Sequence, residues 1–181
     1  EIVFMDLFQK CKDFTLARDI KAAGIYPYFH TLESKQDTVV EMEGARKIMI
    51  GSNNYQGLTS DPRVIKAAVE ATEKFGTGCS GSRFLNGTTT LHLELEKELA
   101  EFLGKEDCVT MSTGFQANLG IISAIAGRND IILCDKENHA SIYDGCRLSF
   151  ARMLRYNHSD MEDLERQLKT IDTTKSGILI V

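Results

Sequence analysis

Two features in the middle of the chain have residue types and spacing that suit a phosphate-bearing ligand. The first is the turn Ser112-Thr113-Gly114 with Phe115, which follows a β-rich run at 108–111 and opens an apolar helix. A helix N-terminus presents unpaired N–H groups that bind anions, and a glycine lets a phosphate approach the backbone closely. The second is His139, an ionisable ring just past the next predicted strand, 131–134. Together they predict a cofactor site.

Both features also have simpler explanations. Residues 112–115 could simply be a tight turn with a capping hydroxyl, which is common where a strand turns into a helix, and His139 could equally cap the helix that follows it. The Gly/Ser-rich stretch 76–83 ends in Arg83 and suits a carboxylate or phosphate-bearing substrate, but it could be a mobile surface loop. Its spacing matches neither the Walker pattern nor G-x-G-x-x-G. Asn53 lies in an amide-rich stretch that could be only a polar turn.

The elements around these residues predict an α/β fold with a mainly parallel sheet. A strand, a glycine turn, a helix and a second strand form a βαβ unit, which places ligands at the carboxyl ends of its strands. Asp61-Pro62 is a strong helix start, and Gly76 and Gly104 are strong stops. The patterns predict helices over 62–75, 90–103, 115–126, 140–148 and 159–168, and strands over 108–111, 131–134, 150–156 and 177–181.

The first 57 residues predict a separate segment. One or two helices are expected within residues 2–22, followed by an extended aromatic link at 26–29. A β-hairpin is expected with strands at 38–42 and 47–50 around a turn at 43–46. We therefore expect an N-terminal segment over 1–57 and the first part of a large α/β domain over 58–181. Because an α/β array that stops on an apolar strand looks cut, we expect the 181 residues to be a fragment of a longer chain.

Composition narrows the class of protein. The 181 residues are 43% hydrophobic and 26% charged, as in ordinary soluble proteins, and no apolar run is long enough to span a membrane. A net charge of −5 without a basic stripe argues against nucleic-acid binding. Five cysteines without C-x-x-C spacing fit a reduced, cytoplasmic protein. The four histidines are scattered, so no metal site is expected.

Four motifs occur in one order and carry a family resemblance. They are GSNNYQGL at 51–58, GTGCSGSRFLNG at 76–87, STGFQAN at 112–118 and NHASIYDG at 138–145. As a set they resemble the α-oxoamine synthases, pyridoxal-phosphate enzymes of the type I aminotransferase fold. Within that family the chain is most similar to the bacterial members that condense L-serine with palmitoyl-CoA to 3-ketodihydrosphingosine, CoA and CO₂.

The resemblance implies roles for individual residues. The backbone at Gly114 and Phe115 would bind the phosphate of pyridoxal 5′-phosphate beside Thr113. His139 would be the catalytic residue, stacked on the pyridine ring and orienting the substrate carboxylate. Four further residues would lie at the substrate end of the site: Asn53, Phe75, Ser82 and Arg83. A homodimer with an active site at its interface is also implied.

Two departures from the family pattern keep alternatives open. The family's Schiff-base lysine, and the aspartate that pairs with the pyridine nitrogen, would lie beyond residue 181. Phe75 stands where the serine-specific members often have tyrosine, which weakens the case for serine over glycine or alanine. The alternatives are a glycine C-acetyltransferase or 8-amino-7-oxononanoate synthase activity and, from another class, a non-catalytic partner subunit.

Overall fold

The computed structural model describes residues 6–181, and their contacts divide the chain into two compact units, Glu1–Cys79 and Ser80–Val181. The helix that follows Asp61 belongs to the first unit. The domain boundary expected after residue 57 stays a prediction about the longer protein. Residues 2–5, the start of the first predicted helical stretch, lie outside the described part.

The first unit contains three helices, a 3₁₀ turn and a β-hairpin within its described residues. Its elements are α1 (Gln9–Asp13), α2 (Leu16–Ala22), β1 (Val39–Met42), β2 (Ala45–Ile48), a 3₁₀ turn (Leu58–Ser60) and α3 (Pro62–Phe75). The hairpin turn is shorter than expected and the second strand starts earlier. Glu43 and Gly44 alone form it, both with positive φ (54° and 72°), as in the turns that match the strand twist. The predicted four-residue turn was therefore wrong.

Helix α3 starts and ends where the sequence predicts. Asp61 caps it by accepting the N–H of Arg63 at 2.8 Å, and Pro62 occupies the first helical position. Gly76 ends it with a φ of 81°. Its large aliphatic residues Val64, Ile65 and Val69 are exposed.

The second unit is built on a three-stranded parallel sheet in the order β4-β3-β5. Its elements are α4 (Thr90–Leu103), α5 (Gly114–Ile125), β3 (Ile131–Asp135), α6 (Ala140–Ser149), β4 (Arg152–Tyr156), α7 (Met161–Leu168) and β5 (Ile178–Ile180). The central strand β3 is the most deeply buried, with Ile132, Leu133 and Cys134 inaccessible to solvent. The parallel α/β class is confirmed.

Helices α5 and α6 pack closely at a glycine. A Cβ on the buried Gly145 of α6 would lie 3.0 Å from the backbone oxygen of Asn118 and 3.1 Å from the side chain of Ile122, both on α5. Only a glycine lets the two backbones come this near. This contact sets the position of the start of α6 relative to α5.

One predicted strand does not form. Residues 108–111 have no ladder partner in the described chain, so the βαβ unit of the sheet runs from β3 through α6 to β4. A β-rich run becomes a strand only where a partner takes its backbone groups. Here the N–H of Thr110 donates instead to the carboxylate of Glu96 at 2.8 Å.

Over residues 6–181, no helix is both long enough and apolar enough to cross a membrane.

Candidate cofactor site

The start of α5 offers two backbone donors to a ligand. Thr113 caps the helix, and its hydroxyl accepts the N–H of Gln116 at 3.1 Å. Within the described residues the N–H groups of Gly114 and Phe115 have no acceptor. A Cβ built on Gly114 would meet no heavy atom within 4 Å, so the space in front of it is open. Thr113 therefore does act as a helix cap, but this cap leaves the N–H groups of Gly114 and Phe115 available to an anion.

His139 stands at the start of α6, after the carboxyl end of β3. It caps that helix, because its Nδ1 accepts the backbone N–H of Ser141 at 3.2 Å. The hydroxyl of Ser141 lies 2.7 Å from the same nitrogen, and the amide of Asn118 donates to that hydroxyl at 2.9 Å. The residue is exposed, and neither of these contacts uses Nε2, which is therefore left for a ligand.

The structure brings the predicted phosphate turn and the predicted histidine together. The rings of Phe115 and His139 meet edge to face, with their centroids 6.3 Å apart and their planes at 77°. Asn118, one turn further along α5 than Gly114, reaches the buried Ser141 of α6. The two helix N-termini thus open beside each other, with an aromatic ring and an imidazole between them.

Ser82 lies in a tightly folded loop of the same unit. Its carbonyl oxygen accepts the N–H groups of Leu85, Asn86 and Gly87 at 2.8–3.2 Å. A Cβ on Gly87 would lie 1.9 Å from the carbonyl oxygen of Gly81, so the loop crosses itself at this point. The side chain of Ser82 is exposed, as a substrate contact requires. That contact stays a prediction.

Arg83 is held by a partner inside the protein. Its guanidinium forms a two-pronged ion pair with Glu96 of α4, NH2 lying 2.9 Å from Oε2, and it also approaches the hydroxyl of Thr110 at 3.1 Å. Arg83 and the Thr110 N–H together lower the pKa of Glu96 to about 2. We therefore interpret Arg83 as a residue that anchors the Ser82 loop to α4, and its contact with substrate remains a prediction.

Asn53 and Phe75 belong to the first unit. The side-chain oxygen of Asn53 accepts the hydroxyl of Tyr55 at 3.4 Å, at the rim of an open cavity lined by Gln36, Ser52, Asn54 and Thr59 among others. Phe75 is the last residue of α3, with the ammonium of Lys74 4.9 Å from its ring centre. Their substrate roles also stay predictions.

Sequence reasoning missed the residues that support this site. Glu96 gave no signal, because a glutamate on a helix rich in glutamates looks solvent-exposed. Asn118 could have been found, since it lies four residues after Gly114 on the same helix face. Asp135 was seen only as part of a turn, yet it accepts the N–H groups of Glu137 and Ser159, which hold its pKa at about 2. It thereby fixes the turn that leads to His139.

A family comparison shows the class of protein to which this chain belongs. The model of the family "aminotransferase class I and II" matches residues 45–181, so this chain belongs to that family. The recognition of an α-oxoamine synthase, made from the four motifs, is confirmed by relatives of that kind.

Several similar relatives are described as serine palmitoyltransferases and others as 8-amino-7-oxononanoate synthases. The chain is 49% identical to the serine palmitoyltransferase of Sphingobacterium spiritivorum, over 96% of this chain and 44% of the relative. It is 48% identical to the 8-amino-7-oxononanoate synthase of Thermoanaerobacter pseudethanolicus, over 84% of this chain and 39% of the relative. A solved serine palmitoyltransferase from S. paucimobilis with bound PLP-myriocin superposes with a TM-score of 0.91 at 38% identity, covering 97% of this chain and 45% of that one. The chain thus spans less than half the length of these relatives.

Proposed function

We propose that the protein containing this chain is a pyridoxal-phosphate-dependent acyltransferase. It condenses L-serine with palmitoyl-CoA and releases 3-ketodihydrosphingosine, CoA and CO₂. The observation that carries the proposal is the pair of unpaired N–H groups at Gly114 and Phe115 beside the exposed ring of His139. The named activity of several relatives supports the choice of substrates.

The residues present fit pyridoxal 5′-phosphate. The N–H groups of Gly114 and Phe115 would hold its phosphate at the positive end of α5, with the open space at Gly114 admitting the phosphate oxygens. His139 would stack on the pyridine ring, and the edge that faces away from Ser141 would meet the substrate carboxylate. When bound, pyridoxal phosphate supplies an electron sink that allows bonds at the amino acid α-carbon to break.

The rest of the site would orient the amino acid and the acyl thioester. The exposed Ser82 hydroxyl stands on a loop that Arg83 ties to α4, so the loop is held rigidly. Asn53 and Phe75 stay predicted substrate contacts. The phenyl ring of Phe75 offers the substrate no hydroxyl, so serine recognition would rest on the other polar groups.

The test is a titration of the full-length protein loaded with pyridoxal phosphate. L-Serine, glycine and L-alanine are added in parallel while the visible absorption of the bound cofactor is followed. A saturable change with L-serine, and palmitoyl-CoA-dependent product formation, would support the proposal. A saturable change only with glycine or L-alanine would overturn the assignment of serine.

A second candidate is 8-amino-7-oxononanoate synthase activity. It is favoured by curated relatives of that name at 45–48% identity. A series of acyl-CoA thioesters of increasing chain length separates the two, because a palmitoyl site requires a long apolar channel and a shorter acyl group does not. A protein that bound no cofactor at all would instead fit a non-catalytic partner subunit.

The assembly and the compartment are part of the proposal. We expect a homodimer, which light scattering of the full-length protein would test. A cytoplasmic location is supported by the five cysteines, all of which are free thiols.

A further inference from the structure

The side chains of Asn118, Ser141 and His139 form one continuous row of hydrogen bonds in the second unit. The amide nitrogen of Asn118 lies 2.9 Å from the hydroxyl oxygen of Ser141, and that oxygen lies 2.7 Å from Nδ1 of His139. Ser141 is 0% exposed, so solvent does not compete for its hydroxyl. The row joins α5, which carries the phosphate-binding turn, to the start of α6.

The direction of each hydrogen bond follows from one backbone group. The N–H of Ser141, 3.2 Å from Nδ1 of His139, can only donate, which favours a lone pair on that nitrogen. The hydroxyl of Ser141 then donates to the same nitrogen, while its oxygen accepts from the Asn118 amide. The proton of the neutral imidazole is therefore on Nε2, the edge that is open to a ligand.

We propose that Asn118 and Ser141 are positioning residues that fix His139 as the Nε2–H tautomer and aim that N–H at the ligand held by the start of α5. The same helix supplies the phosphate-binding N–H groups and, one turn later, the amide that orients the histidine. Ligand position and histidine orientation are thus set by one rigid element. The catalytic meaning of this arrangement rests on the proposed function, but the tautomer itself does not.

The test uses nitrogen chemical shifts of the full-length protein without cofactor, labelled with ¹⁵N-histidine. Unprotonated and protonated ring nitrogens resonate far apart, and loss of the His139 signals in H139N identifies them. His92 is an internal reference, because its Nδ1 accepts the N–H of Thr89 at 3.0 Å in an unrelated contact. We expect the wild-type protein to show His139 protonated at Nε2; protonation at Nδ1 would overturn the proposal.

The substitution Asn118→Asp is the decisive variant. A carboxylate can only accept, so the Ser141 hydroxyl turns toward it and the proton population of His139 moves toward Nδ1. Asn118→Ala is the matched control: it removes the donor to the Ser141 hydroxyl without adding an acceptor, so we expect its His139 shifts to move toward those of N118D by a smaller amount. Identical His139 shifts in N118D and wild type would overturn the proposal.

A second variant keeps the test informative if N118D does not fold. Ser141→Ala removes the shorter of the two hydrogen bonds to Nδ1, so we expect the two ring-nitrogen resonances of His139 to converge. Unchanged resonances in S141A would show that the backbone N–H alone sets the tautomer and would overturn the role of Ser141.

Steady-state kinetics test whether the Asn118–Ser141–His139 row affects binding of the amino acid. In N118D we expect the KM for the amino acid to rise by about tenfold, the effect of one lost charge-assisted hydrogen bond, with the KM for the acyl-CoA unchanged. An equal rise in both KM values would overturn a specific role at the amino acid. If wild-type protein shows the expected tautomer but turns over no acyl-CoA, the proposed function fails and the positioning role stands.

Discussion

Glu96 is a buried carboxylate whose ionised form is stabilised by several neighbours. It is 8% exposed, and Arg83 and the Thr110 N–H hold its pKa at about 2, well below the usual 4.5. A carboxyl group whose pKa is lowered by folding stabilises the folded state above its unfolded pKa, and this contribution is lost as the pH falls toward the folded pKa. We therefore expect Glu96→Gln to lower the Tm at neutral pH and to flatten the fall in Tm between pH 4.5 and about 2.

The measurement is the Tm of full-length wild type and E96Q across this pH range. Glu98→Gln is the matched control, since Glu98 is an exposed glutamate on the same helix. Parallel curves for wild type and E96Q would contradict the assignment. The pairing of Arg83 with Glu96 lay beyond sequence reasoning, because it joins a loop to a helix face 13 residues away and no local pattern encodes it.

A substitution of Gly114 should weaken cofactor binding while leaving the stability of the fold nearly unchanged. Nothing lies within 4 Å of a Cβ built there, so Gly114→Ala fits the folded chain and should change stability by about 1 kcal/mol or less. The added methyl group would occupy the space where the phosphate approaches. We expect cofactor affinity to fall by about tenfold, or about 1.4 kcal/mol.

Equilibrium dialysis of pyridoxal phosphate with the full-length protein measures this loss. Gly120→Ala in the same helix is the control, because a Cβ there meets only the end of the Met111 side chain at 3.4 Å. G120A should bind the cofactor like wild type. Equal affinity in G114A and wild type would place the phosphate elsewhere.

At the scale of elements, the loop that carries Ser82 depends on a crossing of two glycines. A Cβ on Gly87 would overlap the carbonyl oxygen of Gly81 at 1.9 Å, and a backbone atom cannot swing aside as a side chain can. We expect Gly87→Ala to destabilise the second unit by about 2 kcal/mol or more and to weaken L-serine binding.

Thermal unfolding and an L-serine titration of the full-length protein check both effects. Gly78→Ala is the comparison, since a Cβ on Gly78 of the same Gly/Ser-rich stretch meets nothing within 4 Å. If G87A matched G78A in both measurements, the crossing would not be what holds Ser82 in place.

Elements with local signals were predictable, and those that need a distant partner were not. The bounds of α3 and α4 follow from Asp61-Pro62, Gly76 and Gly104, which act within one turn. The run at 108–111 has β-forming residues but no ladder in the described chain, and strand pairing is not a local property. The same holds for the residues of the site. The N–H donors at the start of α5 and His139 were predicted from local sequence. The Asn118–Ser141 row was not, because it forms only where α5 and α6 pack together at Gly145.

At the scale of the whole molecule, the described chain leaves many large apolar side chains exposed. In the second unit Phe84 is 94% exposed and Phe102 is 85% exposed, and Leu91 and Leu95 of α4 are exposed as well. Soluble monomers rarely expose apolar surface on this scale unless another surface covers it. Such side chains in an isolated chain would bind hydrophobic dyes and promote association.

We therefore expect the 181-residue chain, expressed alone, to bind the dye ANS and to scatter light as aggregates, whereas the full-length protein does neither. We also expect the isolated chain to show no turnover, because the resemblance places the lysine that holds the cofactor beyond residue 181. ANS fluorescence, light scattering and a palmitoyl-CoA-dependent product assay on both proteins make the comparison. A monodisperse 181-residue chain that bound no dye would show that the exposed side chains need no cover. Turnover by that chain would show that one of its own lysines serves the cofactor.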